Sequence, residues 1–197
     1  MAVGNDTPER QDASCAVAFT DAVKAAQSRR GSRYACSKLE AKGGWPSDIT
    51  PDLAEFLSRL DTFFLATASA DGQPYVQHRG GPSGFLKPIG PRTLAFADYA
   101  GNRQYITVGN LSENERVMLF LIDFETRTRI KVWGRARVVE DDPALLAQLA
   151  DSDYRAKAQR AIVIDITSWD VNCRQHITPR IAQLDVDQAA QGHSRKA

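Results

Sequence analysis

The stretch TFFLATASADGQPYVQHR, residues 62–79, decides the fold. From residue 62 the hydrophobic pattern changes to a period of two, which is the period of a half-buried β-strand and not of a helix. At the centre of the stretch stands Asp71-Gly72, a pair that tolerates the positive φ angles of a tight hairpin turn. We therefore predict two antiparallel strands joined by a turn at residues 70–73.

Four more β-rich segments follow the hairpin, with turn signals between them. Their spacing predicts a β-rich α+β fold, in which an antiparallel sheet or barrel carries short peripheral helices. The segments are TLAFA (93–97), RVMLFLID (116–123), RIKVWGRARVVE (129–140) and AIVIDITSW (161–169). One of the peripheral helices is predicted at DDPALLAQLA (141–150), where Asp142 and Pro143 are typical first residues.

Helix signals concentrate before residue 62. Thr20 is the predicted N-cap of one helix, a second ends at a Gly-Gly pair, and Thr50 followed by Pro51 starts the third. We divide the chain into an N-terminal helical extension (1–49), a barrel domain (50–180) and a polar tail (181–197).

Composition excludes some classes of function. The 197 residues carry a formal net charge of +1, so no overall field attracts the chain to nucleic acid or to an anionic membrane. The three cysteines are an odd number at spacings unlike any metal motif, and we expect reduced thiols and no metal site. Without a secretory signal or an apolar run of about 20 residues, we expect a cytoplasmic protein.

The segment 129–137 places four cations and an indole on one face of a strand. Strict alternation puts Arg129, Lys131, Trp133, Arg135 and Arg137 together, with Ile130, Val132, Gly134, Ala136 and Val138 on the core face. Such a face suits an anionic, flat ligand. It also fits an ordinary solvated face, and the sequence leaves both interpretations open.

Two loops add polar groups of the same kind. HRGGPSGFLK (78–87) breaks a strand with glycines between Arg79 and Lys87, either to let the backbone approach a ligand or to form a bulged corner. AGNRQY (100–105) presents Asn102, Arg103 and Gln104, as a phosphate-binding turn or as a solvated one. Together with SWDVNCRQHITPR (168–180), these segments favour a ligand that combines a flat ring with a phosphate.

In their order these motifs resemble the pyridoxamine 5′-phosphate oxidase-like flavoproteins, over roughly residues 50–180. The N-terminal part resembles an uncharacterised subgroup and not the oxidase itself. The resemblance implies an antiparallel split β-barrel that binds FMN at the interface of a homodimer.

The resemblance also implies roles for individual residues. Lys87 matches a lysine of the flavin site, Arg103 matches a phosphate-binding arginine, and Arg129 falls where the family has a glutamine. The full set implied for the cofactor is His78, Arg79, Gly80, Lys87, Asn102, Arg103, Gln104, Arg129, Lys131 and Trp169. Arg174 and His176 are the residues implied for substrate binding.

From this resemblance we expect an FMN-dependent oxidoreductase that acts on an unidentified small molecule, with no side chain assigned as a catalytic acid or base. Three alternatives stay open: a non-catalytic flavin-binding or storage protein, a split barrel that uses the deazaflavin F420 or haem, and a small barrel that binds single-stranded nucleic acid along the Arg/Lys/Trp strand. The near-neutral net charge disfavours the last of these.

Overall fold

A seven-stranded antiparallel sheet forms the centre of the computed structural model, which describes residues 14–172 and 175–180. Its order is β2-β1-β5-β6-β7-β4-β3, so that β2 and β3 are the two edges and are not paired with each other. The sheet is therefore an open barrel, and the predicted split-barrel fold is confirmed. The strands are β1 Thr62–Ala68, β2 Pro74–Gly80, β3 Lys87–Gly90, β4 Thr93–Tyr99, β5 Arg116–Asp123, β6 Thr128–Val139 and β7 Ala158–Asn172.

The hairpin predicted from residues 62–79 is confirmed as β1 and β2. Their register runs from Thr62 opposite Gly80 to Ala68 opposite Pro74. Gly72 in the connecting turn has a φ of 91°, a left-handed conformation that glycine adopts without strain. β2 pairs only with β1, which leaves the other side of its backbone unpaired within the described chain.

In the described residues, five α-helices surround the sheet: α1 Asp21–Arg29, α2 Arg33–Ala41, α3 Pro51–Arg59, α4 Ile106–Glu113 and α5 Pro143–Leu149. Three of the predicted helix starts are confirmed by their caps. The Thr20 and Thr50 hydroxyls accept the backbone N–H groups of Val23 and Leu53, each at 3.3 Å. The Asp142 carboxylate accepts the Leu145 N–H at 2.8 Å.

Helix α4 was not located by the sequence analysis. Its segment ITVGNLSE contains three β-branched residues and a glycine, which are poor helix formers. Burial compensates for this weakness, because Thr107 and Leu111 are both buried. Tertiary contacts with β1, β2 and β6 thus fix a helix that local propensity does not predict.

The core lies between the inner face of the sheet and α3. Leu53, Phe56 and Leu57 on one face of α3 join the same cluster as Phe63 and Phe96 of the sheet. The predicted alternation along β6 is confirmed as well. Ile130, Val132, Gly134 and Ala136 are buried, and Val138 packs against the core.

The glycine loop before β3 approaches the protein's own backbone. The N–H of Gly81 donates to the Asp61 carbonyl at 3.1 Å, and that of Gly84 donates to the Leu60 carbonyl at 3.0 Å. Gly84 has a φ of 77°, and a Cβ there would lie 3.0 Å from the Ser58 carbonyl oxygen. The bulged-corner interpretation is therefore the one that the contacts support. Strand β3 begins directly after this corner, at Lys87.

Residues 14–49 pack against the sheet, with Trp45 on its outer face and Ile49 against the core. The Trp45 ring stacks on Trp133 with centroids 4.9 Å apart and planes 4° from parallel. The Trp169 backbone N–H donates to the Pro46 carbonyl at 2.9 Å, and the Trp169 indole N–H donates to the Asp48 carbonyl at 3.0 Å. In the described part of the chain, no helix has the length and apolarity needed to cross a membrane. The predicted tail, 181–197, lies outside the described residues.

Candidate functional site

A hollow of about 220 Å³ lies where the open edge of the barrel meets α4. Strand β2 forms one wall, the end of β4 with the 100–105 loop forms another, and the first turn of α4 closes one end. The lining residues are mostly polar: Tyr75, Gln77, Arg79, Asp98, Tyr99, Gly101, Asn102, Arg103, Gln104, Tyr105, Ile106, Thr107, Val108 and Gln159.

An ion pair crosses the opening of the barrel at this hollow. Arg79 on β2 donates from Nη1 to Asp98 Oδ1 on β4 at 2.5 Å, although these two strands share no backbone hydrogen bonds. Both side chains are only 12% exposed. Arg160 on β7 approaches the other carboxylate oxygen of Asp98 at 3.6 Å. The carboxylate therefore holds two guanidinium groups at the base of the hollow.

The loop 100–105 has an unusual backbone. Arg103 and Tyr105 adopt φ angles of 63° and 55°, in the left-handed region that non-glycine residues rarely occupy. The Asn102 side chain stabilises the turn, since its oxygen accepts the Gln104 N–H at 3.2 Å. Such strain persists only where the surrounding structure over-determines it, and it is common at ligand-binding sites.

Helix α4 begins at the hollow, and the backbone N–H groups of its first turn have no partner within the helix. Tyr105 occupies the N-cap position and its side chain makes no capping hydrogen bond. The N–H groups of the first turn have no carbonyl four residues back within the helix, and this end of a helix favours negative charge. Thr107 is fixed by its hydroxyl, which donates to Gln77 Oε1 at 2.8 Å, so the helix start is tied to β2.

The charges around the hollow are not fully balanced. Arg103 is exposed, and among the described residues it has neither a carboxylate partner nor a side-chain hydrogen bond. The Nε atoms of Arg79 and Arg160 are buried without a hydrogen-bond partner in the described chain. Burial also raises the pKa of Tyr99, so its hydroxyl stays protonated at neutral pH. The site offers an anion two guanidiniums, amide donors and a helix N-terminus.

The structure brings together four of the predicted cofactor residues. Arg79, Asn102, Arg103 and Gln104 all line the hollow. His78 and Gly80 line a smaller adjoining hollow of about 120 Å³, which also contains Arg79, Asp98 and Tyr99. The His78 ring lies 2.6 Å from the Thr62 hydroxyl, measured from Nε2 to Oγ1.

Other predicted cofactor residues lie elsewhere in the subunit. The Lys87 ammonium donates to the Gln148 carbonyl at 2.9 Å, beside α5. Lys131 pairs with Asp170 at 3.2 Å on the outer sheet face. Trp169 is buried under residues 46–48, and Arg129, on the outer face of β6, does not line the hollow. Within one subunit these residues do not line the hollow with Arg103, since Lys131 and Arg129 lie on the outer face of β6 and Trp169 is part of the core cluster.

Of the two predicted substrate residues, only one is described. His176 is exposed, with a φ of 62°, and Arg174 lies outside the described residues. The described residues contain no group of three or more His, Cys, Asp and Glu side chains that could hold a metal ion.

Several residues of the hollow were missed in the sequence. Tyr75 and Gln77 share the face of Arg79 on β2, but an exposed edge strand with polar residues is too common to indicate a site. Asp98 and Arg160 become partners only through the pairing of β4 with β7, where their Cα atoms are register partners. The alternation of β2 was the one local signal that could have grouped Gln77 with Arg79.

Two solved structures are similar to this chain. HupZ from Group A Streptococcus aligns with a TM-score of 0.52 at 14% identity, over 68% of this chain and 99% of that protein. An FMN-binding protein from Syntrophomonas wolfei subsp. wolfei aligns with a TM-score of 0.48 at 12% identity, over 76% of this chain and 96% of that protein. The likeness to HupZ is evidence for the fold alone.

Comparison at the level of sequence gives the family. No curated protein matches the chain. The family model described as pyridoxamine 5′-phosphate oxidase matches residues 49–173, which is more than half of the sequence and includes every strand of the sheet. The chain therefore belongs to the pyridoxamine 5′-phosphate oxidase family.

Proposed function

We propose that the hollow binds the phosphate of FMN and that the protein is an FMN-dependent oxidoreductase acting on a small molecule. One observation carries the proposal: the guanidiniums of Arg79 and Arg103 and the N-terminus of α4 converge on one hollow at the open edge of the barrel. The family to which the chain belongs supplies the expectation of a flavin.

The donors present suit a phosphate. Guanidinium groups bind phosphate oxygens through paired N–H donors, and free N–H groups at a helix N-terminus bind further oxygens. Arg103 has no competing carboxylate in the described chain, so its charge is available to a ligand. Asn102 and Gln104 add amide groups at the same wall.

The size of the hollow supports a site shared between two subunits. At about 220 Å³ it is smaller than the roughly 300–1,000 Å³ typical of pockets for ligands of this size. It has room for the phosphate end, while the flat ring would extend along residues 77–80 of β2, past the hollow that His78 and Gly80 line. We propose that a second copy of the chain covers the ring, as a homodimer.

The remaining predicted residues enter the proposal only through such a second copy. Lys87, Arg129, Lys131 and Trp169 lie away from the hollow of their own subunit. Any contact with the cofactor would have to be made with the partner's cofactor. Arg174 and His176 stay predictions for substrate binding.

Bound FMN would supply the redox chemistry, and the chain's residues would hold and orient it. Arg79 and Arg103 would neutralise the phosphate, and the Arg79–Asp98 pair would keep β2 at a fixed distance from β4. Tyr99, with its raised pKa, is neutral at physiological pH and adds no negative charge beside the phosphate.

The test is a spectrum of the protein purified without added cofactor, with mass spectrometry of any molecule released, followed by titration with FMN and riboflavin. We expect flavin absorption, and FMN binding much tighter than riboflavin binding because riboflavin lacks the phosphate. Protein that is colourless and does not quench FMN fluorescence would contradict the proposal. Absorption in the deazaflavin or Soret region would assign F420 or haem instead. FMN binding without oxidation of NAD(P)H or amines in air would make the protein a flavin-binding module.

A further inference from the structure

We propose that Arg160, which does not line the hollow, is a positioning residue on β7 that keeps the phosphate-binding groups in place. This inference rests on the proposed function, because the groups that it positions are those assigned to the FMN phosphate. Arg160 stands on β7 directly opposite Asp98 of β4 and is only 8% exposed.

The Arg160 guanidinium contacts β4 and the start of α4 directly and β2 through Asp98. Its Nε lies 3.6 Å from Asp98 Oδ2, and Asp98 in turn accepts from Arg79 of β2. Its Nη1 lies 3.0 Å from Glu140 Oε1, and its Nη2 donates to Gln159 Oε1 at 3.2 Å. A single side chain thereby links β7, β4 and, through Asp98, the edge strand β2.

The same guanidinium also supports the start of α4. Its central carbon lies 5.3 Å from the centroid of the Tyr105 ring, within the range of a cation–π contact. Tyr105 is the N-cap of α4 and has a left-handed φ of 55°. This contact is one of the tertiary restraints that hold an unfavourable backbone conformation in place. The position of the free N–H groups of α4 therefore depends on Arg160.

Charge balance gives Arg160 a second effect on the hollow. With Arg160 present, the Asp98 carboxylate is shared between two guanidiniums, and Arg79 keeps part of its positive charge for a ligand. Without Arg160, the only cation left on Asp98 would be Arg79, and the pair would present no net charge. Glu140 compensates little, since its side chain is 58% exposed and screened by solvent.

Stability alone does not explain this cluster. Buried ion pairs are costly to desolvate, and apolar residues of similar volume usually serve a core as well or better. In the described chain the Nε of Arg160 also lacks a hydrogen-bond partner. A buried guanidinium under the proposed phosphate site is accounted for by a role in keeping that site's geometry and charge.

The main experiment compares FMN and riboflavin binding to wild type, Arg160→Met, Arg160→Lys and a control, Arg137→Met. Arg137 also pairs with an aspartate of β7, but its side chain is 59% exposed on the outer face. We expect Arg160→Met to weaken FMN binding by about tenfold or more, because Arg79 and the start of α4 would lose a restraint on their position and Arg79 alone would pair with Asp98. Riboflavin binding should hardly change, Arg160→Lys should recover part of the FMN affinity, and Arg137→Met should bind like wild type.

A second variant covers the case in which Arg160→Met does not fold. Tyr105→Leu removes the ring from an exposed position, and Tyr34→Leu is its control, because Tyr34 is exposed on α2 and also carries a cation over its ring, Lys38 at 4.4 Å. We expect Tyr105→Leu to weaken FMN binding severalfold and Tyr34→Leu to leave it unchanged.

The outcomes separate the two proposals. Wild type that binds FMN while Arg160→Met and Tyr105→Leu bind it equally tightly would overturn the role of Arg160 and leave the proposed function standing. Equal losses of FMN and riboflavin affinity would also overturn it, since they indicate general damage. Wild type that binds neither FMN nor inorganic phosphate would overturn both.

Discussion

The outer face of β6 and the hollow beside β2 both hold clustered arginines, but the two regions differ in how these arginines are paired with carboxylates. On the outer face, Lys131 pairs with Asp170, Arg135 with Glu115, and Arg137 with Asp165. At the hollow, Arg79 and Arg160 share one carboxylate, and Arg103 has none within the described chain. On the outer face three of the four cations of β6 are thus paired one to one and Arg129 has no carboxylate partner in the described chain, whereas at the hollow Arg160 also pairs with Glu140 and the unpaired Arg103 lines the cavity itself.

This difference shows that a row of cations in a sequence says little about binding until their partners are known. The outer face of β6 looked the stronger candidate, with four cations and Trp133 in alternation. Asp170 and Asp165 of β7 pair with Lys131 and Arg137, and Trp45 of the N-terminal segment covers Trp133. Among the described residues, the single arginine of a six-residue loop is the more available cation.

The largest expected effect comes from removing the hollow's buried arginine. Arg79→Met should weaken FMN binding by about 100-fold, because a buried charge-assisted contact to phosphate contributes roughly 2–3 kcal/mol. It should also lower the free energy of unfolding, since Asp98 keeps only its 3.6 Å contact with Arg160. Fluorescence titration with FMN and chemical denaturation measure the two effects.

Arg137→Met is the matched change on the outer face. Its ion pair with Asp165 is exposed, and such pairs contribute about 0–1 kcal/mol to stability. FMN binding should stay at the wild-type level. A loss comparable to that of Arg79→Met would mean that the outer face also contacts the cofactor, and the contrast between the two regions would fail.

Trp45→Ala tests the packing on the outer face instead of its charges. It removes the ring stacked on Trp133 and the edge contact with Phe19 at 5.1 Å, and should lower the free energy of unfolding by about 2 kcal/mol. FMN affinity should not change, because this stack is far from the hollow in the sheet. Denaturation monitored by tryptophan fluorescence gives the first value. An unchanged free energy of unfolding would show that the packing of residues 14–49 on the outer face does not stabilise the fold.

A smaller loss of FMN binding than that of Arg79→Met is expected at the exposed loop. Arg103→Gln should weaken FMN binding by about tenfold, less than Arg79→Met, because solvent screens an exposed guanidinium. The loss should shrink further at high salt. Arg135→Gln, which removes an equally exposed cation from the outer face, is the control and should leave the FMN titration unchanged. Wild-type affinity in Arg103→Gln would exclude a role for this loop in phosphate binding.

Local signals predicted the fold well. Asp71-Gly72 between period-two segments gave the β1–β2 hairpin, and the hydroxyl and carboxylate caps gave three helix starts. The core face of β6 followed from alternation alone. These features depend on residues adjacent in sequence, where turn geometry and hydrogen-bond reach decide the outcome.

The site could be predicted only in part. Arg79 and the Asn102–Gln104 turn were identified, and the structure places them in one hollow. Lys87 was assigned by resemblance, but its strand directs it to the Gln148 carbonyl. Helix α4 and Arg160 went unnoticed because one has weak helix propensity and the other is an ordinary residue at a strand start until its neighbours are known.

By itself, the sequence determined most of the strands and helices, though not α4, together with the buried face of β6 and the polar, cationic loops that interrupt the strands. Only the tertiary structure decided which cations are paired with a carboxylate, because the carboxylates come from distant strands. Asp98 meets Arg79 across the open edge and Asp165 meets Arg137 across a strand pair. The separation in sequence is 19 residues in one case and 28 in the other, and no local pattern encodes such a contact.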